Sequence, residues 1–315
     1  LARTIEVGPG RTFAVPSEAA AAARDGDTIT IAPGTYYDCA VWRARALTIA
    51  ASAPGVVITD KACAGKAAFI VLGDGVLIRG ITFTRIRVED GNGAGIRAEG
   101  RDLTVQDSHF TNNQAGIISS AAAGFLRVEG CSFNEIGSHE SPQPRAIAAG
   151  AINTLHIAHS IFQHPRGGGF IAPSAQATEL QDNRLSDEAG SAASPLVRVQ
   201  GGVVTVEGNT ITVGAAPVER PGAILVYGDA QRVAVRGNTL VEPSSQVPFL
   251  RNWSGAPATE ADNTVPDGTA SVSESGSLYH RLRYRLAQAR EAAGNAVRTT
   301  RHQAAELARG LHLIR

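Results

Sequence analysis

The sequence predicts an all-β chain wound as a solenoid, with a helix near each end. Two observations predict it: short apolar segments of one texture recur along the chain, and a further strand-like run separates successive copies. The copies are 23 to 29 residues apart, a period typical of solenoids whose units stack on their neighbours. Three strands per unit, without a helix, favour a parallel β-helix over leucine-rich or ankyrin repeats.

Each repeat consists of an apolar-x-apolar run, two or three small or polar residues, and a closing apolar residue. The segments "VTVEGNTI" (204–211) and "VAVRGNTL" (233–240) show this pattern, which indicates two short strands joined by a tight turn. Runs such as "GIISSA" (116–121) supply the other strand, so we expect about nine or ten coils. The closing apolar residues are Phe83, Phe110, Phe133, Phe162, Leu185, Ile211, Leu240 and Val265.

The N-terminal segment carries a family resemblance. Its "TIEV" (4–7), alanine run and "DGDTITIAPGTYYD" (25–38) resemble the opening of right-handed parallel β-helix proteins of the pectin-lyase-like superfamily. The resemblance covers residues 3 to about 267 and implies a single-stranded right-handed helix with a capping helix near 17–24, for which Ser17 is the expected N-cap. The superfamily holds lyases, hydrolases, epimerases, phage tailspikes and adhesins, so the resemblance predicts a fold and leaves the activity open.

The turn inside each repeat predicts an internal ladder. Asparagine accepts left-handed backbone geometry, and its amide can bond to the equivalent amide one coil away. Cys131 falls in the same column, where we expect a buried and unreactive thiol. Cys39 and Cys63 are 24 residues apart, about one coil, and are predicted to form a disulfide. The turn residues are Ile81, Ser108, Cys131, Ser160, Asn183, Asn209, Asn238 and Asn263.

The resemblance implies that a substrate lies along the outward face of the first strand of each coil. If Ile96, Ile117, Ile147 and Phe170 point inward, alternation turns the next residues outward. Arg97 and Arg198 are therefore candidate substrate contacts beside an apolar strip, which would equally suit a covering loop. The outward residues are Arg97, Ile118, Ala148 and Ile171, with Arg198 following.

A column of polar residues stands two places after the closing apolar position. Coils stack about 4.8 Å apart, which would make Glu135 a neighbour of His164, and His164 a neighbour of Asp187. This arrangement suits proton transfer, because carboxylates raise an imidazole pKa and fix its tautomer. It suits a self-neutralising structural ladder equally well. The column is Arg85, Asn112, Glu135, His164 and Asp187.

Three long loops enter the first strand, at 85–94, 135–145 and 213–222, and such loops carry function on solenoids. The middle loop adds His139, Glu140 and Arg145. The histidines lack compact metal-ligand spacing, so no metal or other cofactor is predicted, and calcium remains an alternative without a clear acidic site. The predicted catalytic residues are His139, His164, Glu135 and Arg145; the predicted substrate-binding residues are Arg97, Asn112, Glu140, Arg166, Asp187 and Arg198.

The composition changes after the solenoid, which is predicted to span residues 1–267. Residues 268–276 read as a linker, and 277–315 read as a basic amphipathic helix with eight arginines and two glutamates. Such a helix suits an anionic membrane surface or a protein partner, or packs back on the acidic solenoid. Without an accompanying motif, we predict no nucleic-acid partner.

These observations predict an exported protein that binds an acidic polysaccharide or oligosaccharide. Signal peptidase cleaves after a small-x-small tripeptide, and an alanine before Leu1 would complete such a site with Leu1-Ala2. Together with the predicted disulfide, this indicates a periplasmic or secreted protein. Whether it is an enzyme stays open. If it is one, β-elimination or epimerisation is favoured over glycoside hydrolysis, because Glu135 and Glu140, the close carboxylate pair, share one loop. The alternative is a non-catalytic scaffold or binding module that docks a protein or envelope partner through its basic C-terminal helix.

Overall fold

The computed structural model describes residues 2–120, 124–138, 146–192, 195–214, 221–241 and 247–274. The chain divides into two compact units, Leu1–Ser273 and Glu274–Arg315. The first is the predicted solenoid. The predicted basic helix at 277–315 lies outside the described residues.

The solenoid is an all-β parallel helix with three strand positions per described coil. Two long strands, Val197–Glu207 and Ile224–Arg236, join the first two positions into one hydrogen-bonded sheet of 19 strands. We describe the three faces as the first, second and third sheets. The first sheet comprises Ala40–Trp42, Ala67–Val71, Ala94–Ala98, Ala115–Ser119, Ile147–Ala149, Ile171–Pro173, the first parts of Val197–Glu207 and Ile224–Arg236, Leu250–Asn252 and Val272–Ser273. The second comprises Thr4–Val7, Thr28–Ile31, Thr48–Ala51, Leu77–Arg79, Leu103–Gln106, Phe125–Glu129, Thr154–Ala158, Ala177–Gln181, the remainders of the two long strands, and Ala258–Ala261. The third comprises Gly34–Tyr36, Val56–Thr59, Ile81–Thr84, His109–Thr111, Ser132–Asn134, Ile161–Gln163, Arg184–Asp187, Thr210–Val213 and Thr239–Val241. We call the connections from the first sheet to the second, the second to the third, and the third to the next coil the first, second and third turns.

The core consists of columns of apolar side chains, because parallel register places equivalent residues of successive coils over one another. In the first sheet Ile96 pairs with Phe69 on one side and Ile117 on the other, and all three are fully buried. In the third sheet the rings of Phe110 and Phe133 stack with centroids 4.7 Å apart. This distance matches the spacing of neighbouring strands, so the stack follows directly from the repeat.

One coil departs from the predicted alternation. Ile171 was expected to face outward, but it pairs with Ile147 and Val197 and is fully buried. Phe170 precedes the strand and packs inward against Phe162, with ring centroids 5.7 Å apart. Two consecutive residues therefore point into the core, and Ala172 takes the outward position beside Ala148.

The second turns form the predicted ladder. The backbone N and Nδ2 of Asn183 both donate to Oδ1 of Asn209, at 2.9 and 3.0 Å. The pattern continues from Asn209 to Asn238 and from Asn238 to Asn263. The left-handed residue is the one before each ladder position, and the ladder asparagines themselves do not adopt it. These left-handed residues include Asp107, Gly130, His159, Asp182, Gly208, Gly237 and Asp262.

Two further features of the core confirm the predictions for cysteine. Cys131 is buried within the ladder column, and burial raises the pKa of its thiol to about 12. Cys39 and Cys63 form the predicted disulfide, with their Cα atoms 5.5 Å apart. This bridge joins neighbouring coils near the N-terminal end of the solenoid.

The helix over the N-terminal end spans Pro16–Ala22, and its N-cap is Val15. The expectation that Ser17 caps it is wrong, because Pro16 already occupies the first helical position. The backbone N of Ser17 donates instead to the Asp38 carboxylate at 2.8 Å. Glu18 also contributes by accepting from the backbone N of Ala14 at 2.8 Å.

At the C-terminal end the solenoid extends past residue 267. Val272–Ser273 pairs in parallel with Leu250–Asn252, so the predicted linker at 268–276 begins inside the last coil. Across the described ranges, we find no helix with the length and apolar character needed to span a bilayer.

Candidate functional site

The third turns hold the polar column that the sequence singled out. Arg85, Asn112, Glu135 and His164 all have φ between 50° and 55°, in the left-handed region. A left-handed residue breaks the strand alternation, so these side chains leave the core and reach the surface. These four members of the column therefore lie on the outside of the solenoid, as their polarity required.

Two arginines converge on one member of this column. Arg87 donates from Nη2 to Oδ1 of Asn112 at 2.5 Å and from Nη1 to the Asn112 carbonyl at 2.6 Å. Arg166, two coils further along, donates from Nη1 to the same Oδ1 at 2.6 Å. Partial removal from water and the nearby Arg166 charge lower the pKa of Arg87.

The carboxylate and imidazole of the column take separate partners. Oε2 of Glu135 forms an ion pair with Nη2 of Arg166, and the two atoms are 3.0 Å apart. Nδ1 of His164 lies 2.8 Å from Oδ1 of Asn134. Glu135 was predicted to interact with His164, but it pairs with Arg166 and His164 pairs with Asn134. The reason is that the stacking of the coils places Arg166 beside the Glu135 carboxylate.

The contact with Asn134 has a chemical consequence for His164. An amide oxygen can only accept, so Nδ1 carries the proton in the neutral ring and Nε2 keeps its lone pair. His164 is exposed, and its Nε2 is suited to accept a proton from a ligand. We call Arg87, Asn112, Glu135, His164 and Arg166 the third-turn cluster.

Asp187 does not join this cluster. It continues the strand Arg184–Asp187, its side chain points inward, and only 1% of it is exposed. Its carboxylate accepts from the backbone N of Ser191 at 2.8 Å and of Ala192 at 3.1 Å. The expected contact of Asp187 with His164 or a substrate is therefore replaced by a structural role in the turn that follows.

An ion pair extends the polar surface to earlier coils. Arg85 donates from Nη2 to Asp60 at 2.6 Å, and the exposed Tyr37 lies beside the same guanidinium. Hydrogen bonds from Arg85 and from Thr59 lower the pKa of Asp60 to about 2. This pair is charge-neutral. Further along the described third turns, Arg87 and Arg166 bring two guanidinium groups together at Asn112.

The outward face of the first sheet is largely apolar. Arg97 stands between Ile70 and Ile118, half-buried, with Nε 3.9 Å from Oε1 of Glu99. Lys66 also pairs with Glu99, at 2.9 Å. Arg198 points outward as predicted and lies beside Leu225 in the register. Arg97 and Arg198 thus belong to this face, whereas the third-turn cluster lies along its edge.

Three predicted site residues, His139, Glu140 and Arg145, lie outside the described residues. Sequence reasoning missed Arg87 and Asn134. Arg87 stands two places after Arg85 in a loop already noted for its length, and Asn134 precedes Glu135, so adjacency to the column was the available signal. Among the described residues, no group of three His, Cys, Asp or Glu side chains is arranged to hold a metal ion.

Comparison with known proteins adds the fold relationship. No family model matches the chain, and no curated protein matches its sequence. An alginate lyase from Paenibacillus sp. strain FPU-7 is similar in structure, with a TM-score of 0.54 and 15% identity over 86% of this chain and 97% of that one. A pectin methylesterase from Aspergillus niger has a TM-score of 0.50 and 14% identity over 87% and 90%. The chain thus has the right-handed parallel β-helix fold that these structures share.

Proposed function

We propose that the protein binds an acidic polysaccharide at the third-turn cluster and along the adjoining first-sheet face. The observation that carries this proposal is the convergence of Arg87 and Arg166 on Oδ1 of Asn112, at 2.5 and 2.6 Å. Two guanidinium groups held together repel each other, and an incoming carboxylate relieves that repulsion. Among the described residues, Arg166 has an ion pair with Glu135 and Arg87 has none.

The proposed class of substrate follows from the charge of the third-turn cluster and from the shape of the solenoid that carries it. A solenoid presents equivalent turns about 4.8 Å apart along its length, which suits an extended polymer more than a compact ligand. The structural neighbours named as alginate lyase and pectin methylesterase support a uronic-acid polymer. The disulfide supports export, since such bridges persist in oxidising compartments.

The reaction that the cluster suits best is removal of the proton at C5 of a uronate. His164 Nε2 takes the proton, and Arg87 or Arg166 neutralises the carboxylate that receives the negative charge. In β-elimination the electron pair then forms the C4–C5 double bond, breaks the bond from C4 to the glycosidic oxygen, and that oxygen takes a proton. In epimerisation a proton returns to C5 from the opposite face. The imidazole of His164 can take this proton when its Nε2 is unprotonated, which is the tautomer that the contact of Nδ1 with Asn134 favours.

The experiment measures binding and turnover separately on alginate and polygalacturonate oligomers. Arg87→Ala and Arg166→Ala are expected to weaken binding about tenfold or more, as loss of a charge-assisted hydrogen bond does. The matched control is Arg236→Ala, whose exposed guanidinium pairs with Glu207 on the second sheet. Equal affinity in all three variants and the parent chain would overturn the proposed binding site.

Turnover is followed by ultraviolet absorbance of the unsaturated product and by NMR of the uronate epimers. His164→Ala should lower the rate by about two to four orders of magnitude while leaving affinity near that of the parent. A parent chain that binds both oligomers but changes neither would retain the binding proposal and overturn the chemistry.

Binding without turnover is the second candidate, and a specific observation favours it. The outward strip of the first sheet carries Ile118, Ala148 and Ala172, without a polar group at these positions to act on a sugar.

Docking of a partner through 277–315 stays a prediction outside the described residues. Co-sedimentation with anionic vesicles, comparing the full chain with one ending at residue 276, tests it, and equal pelleting would contradict it.

A further inference from the structure

A concave surface lies at the first turns of four successive coils, on a different edge of the solenoid from the third-turn cluster. It is a groove of about 700 Å³. The third-turn cluster lies at the opposite end of the first-sheet strands, because the first turns leave these strands and the third turns enter them. The lining residues are Asn153–Thr154, Ser174–Ala177, Gln200–Gly202, Gly228, Asp229 and Gln231.

The groove exists because the first turn changes form along the solenoid. In the later coils the strands Val197–Glu207 and Ile224–Arg236 run through the corner, with a register shift at Gly202. Gly202 has φ of 76°, and a Cβ there would lie 2.5 Å from the carbonyl oxygen of Ala175. Only glycine allows the coils to approach this closely, so the floor of the groove is backbone.

The walls of the groove carry neutral polar groups with defined directions. Oε1 of Gln200 lies 3.2 Å from the Ser174 hydroxyl and 3.5 Å from that of Tyr227. Both hydroxyls donate to this oxygen, which orients the amide and leaves its NH₂ group available to donate to a ligand. Asp229 adds an exposed carboxylate that can accept from two adjacent hydroxyls.

The charge of the groove distinguishes it from the third-turn cluster. Its described lining includes one carboxylate, Asp229, and neither lysine nor arginine. An anionic chain would meet repulsion there, whereas a neutral polyol would find amide donors, amide acceptors and a carboxylate. Asn153, Gln176 and Gln231 add further amides from neighbouring coils.

We propose that this first-turn groove is a second binding site, specific for a neutral oligosaccharide. The groove is large enough for several sugar residues, and three of its four coils carry an amide directly before the second-sheet strand, at Asn153, Gln176 and Gln231. Half-buried Tyr227 precedes Gly228 of the lining, and its hydroxyl helps to hold the amide of Gln200 in place. The site stands independently of the acidic-polymer function, since the two share no residue.

The test is isothermal titration of the full chain with four neutral hexasaccharides: cellohexaose, xylohexaose, mannohexaose and maltohexaose. At least one hexasaccharide should bind, and a galacturonate oligomer should not displace that hexasaccharide from the first-turn groove. Gln200→Ala and Asp229→Asn should each weaken that binding about tenfold or more, since each removes hydrogen bonds to the ligand. Both side chains are exposed, and circular dichroism checks that the variants fold.

Two controls separate this site from others on the protein. Gln181→Ala removes an exposed glutamine on the second sheet and should leave neutral binding unchanged. Arg87→Ala should also leave it unchanged while weakening uronate binding. The proposal is overturned if none of the four hexasaccharides binds, or if they bind equally well to Gln200→Ala and Asp229→Asn. Either result leaves the uronate measurement intact.

Discussion

Asn209 binds Asn238 of the next coil through two hydrogen bonds to a single oxygen. Its backbone N and its Nδ2 both donate to Oδ1 of Asn238, at 2.9 and 3.1 Å. Nδ2 also donates to the carbonyl of Leu180 in the preceding coil at 2.8 Å. One buried amide therefore joins three coils, and the same arrangement recurs at Asn183 and Asn238.

The ladder should contribute strongly to stability. Asn209→Ala leaves the buried N–H groups of Asn183 without their acceptor, and we expect a loss of about 3 kcal/mol in the free energy of unfolding. Urea denaturation followed by circular dichroism measures it. Asn153→Ala, at an exposed asparagine in a first turn, is the control and should change stability by less than about 0.5 kcal/mol. Equal unfolding midpoints in the two variants would contradict a stabilising ladder.

The phenylalanine stack should depend on a glycine. A Cβ at Gly95 would lie 2.7 Å from Cδ1 of Phe110, closer than carbon atoms approach without displacement. Gly95→Ala should therefore destabilise the solenoid by about 1–3 kcal/mol through overpacking. In a double-mutant cycle with Phe110→Leu, the smaller side chain should recover part of that loss. Additive effects of the two changes would show that the ring is not what excludes the methyl group.

The Cys39–Cys63 disulfide should stabilise the first coils. Replacing both cysteines with serine should lower the free energy of unfolding by about 3 kcal/mol, because a closed loop restricts the unfolded chain. Cys131→Ser is the comparison, since it alters a buried thiol outside the bridge. The native protein should show no thiol reactive with Ellman's reagent, and unfolding should expose one. A reactive thiol before unfolding would contradict the burial of Cys131.

Acid stability should depend on Asp27. Hydrogen bonds from Arg3 hold the pKa of this nearly fully buried carboxyl below its usual range. A lowered folded-state pKa contributes stability that is present above the unfolded pKa, about 4, and is lost as the pH falls towards the folded value. Asp27→Asn should lower the melting temperature at neutral pH and flatten its decline below about pH 4. The exposed Asp267→Asn is the control. An unchanged pH profile in Asp27→Asn would assign the acid sensitivity to other carboxyls.

The sequence alone determined the scaffold, because a solenoid repeats one local pattern and each repeat contacts mainly its neighbours. The spacing of the closing residues placed Phe110 over Phe133, and the turn residues placed Asn209 over Asn238. The one-coil separation of Cys39 and Cys63 was enough to predict their bridge. The prediction that Ile171 faces outward was wrong. Phe170 already points inward before the strand Ile171–Pro173 begins, so the two residues do not alternate as the prediction assumed.

Only the tertiary structure decided which polar side chains meet. Left-handed residues at the third turns point side chains outward, and long arginines then reach across coils: Arg166 contacts Asn112, 54 residues away in the sequence. Asp187 occupies the same sequence column but remains in its strand, so its side chain turns inward. Backbone conformation at single turn residues and the reach of flexible side chains leave no periodic trace in a sequence. The repeat in the sequence therefore predicted where the polar column lies, but only the stacking of the coils determines that Arg87, Asn112 and Arg166 contact one another.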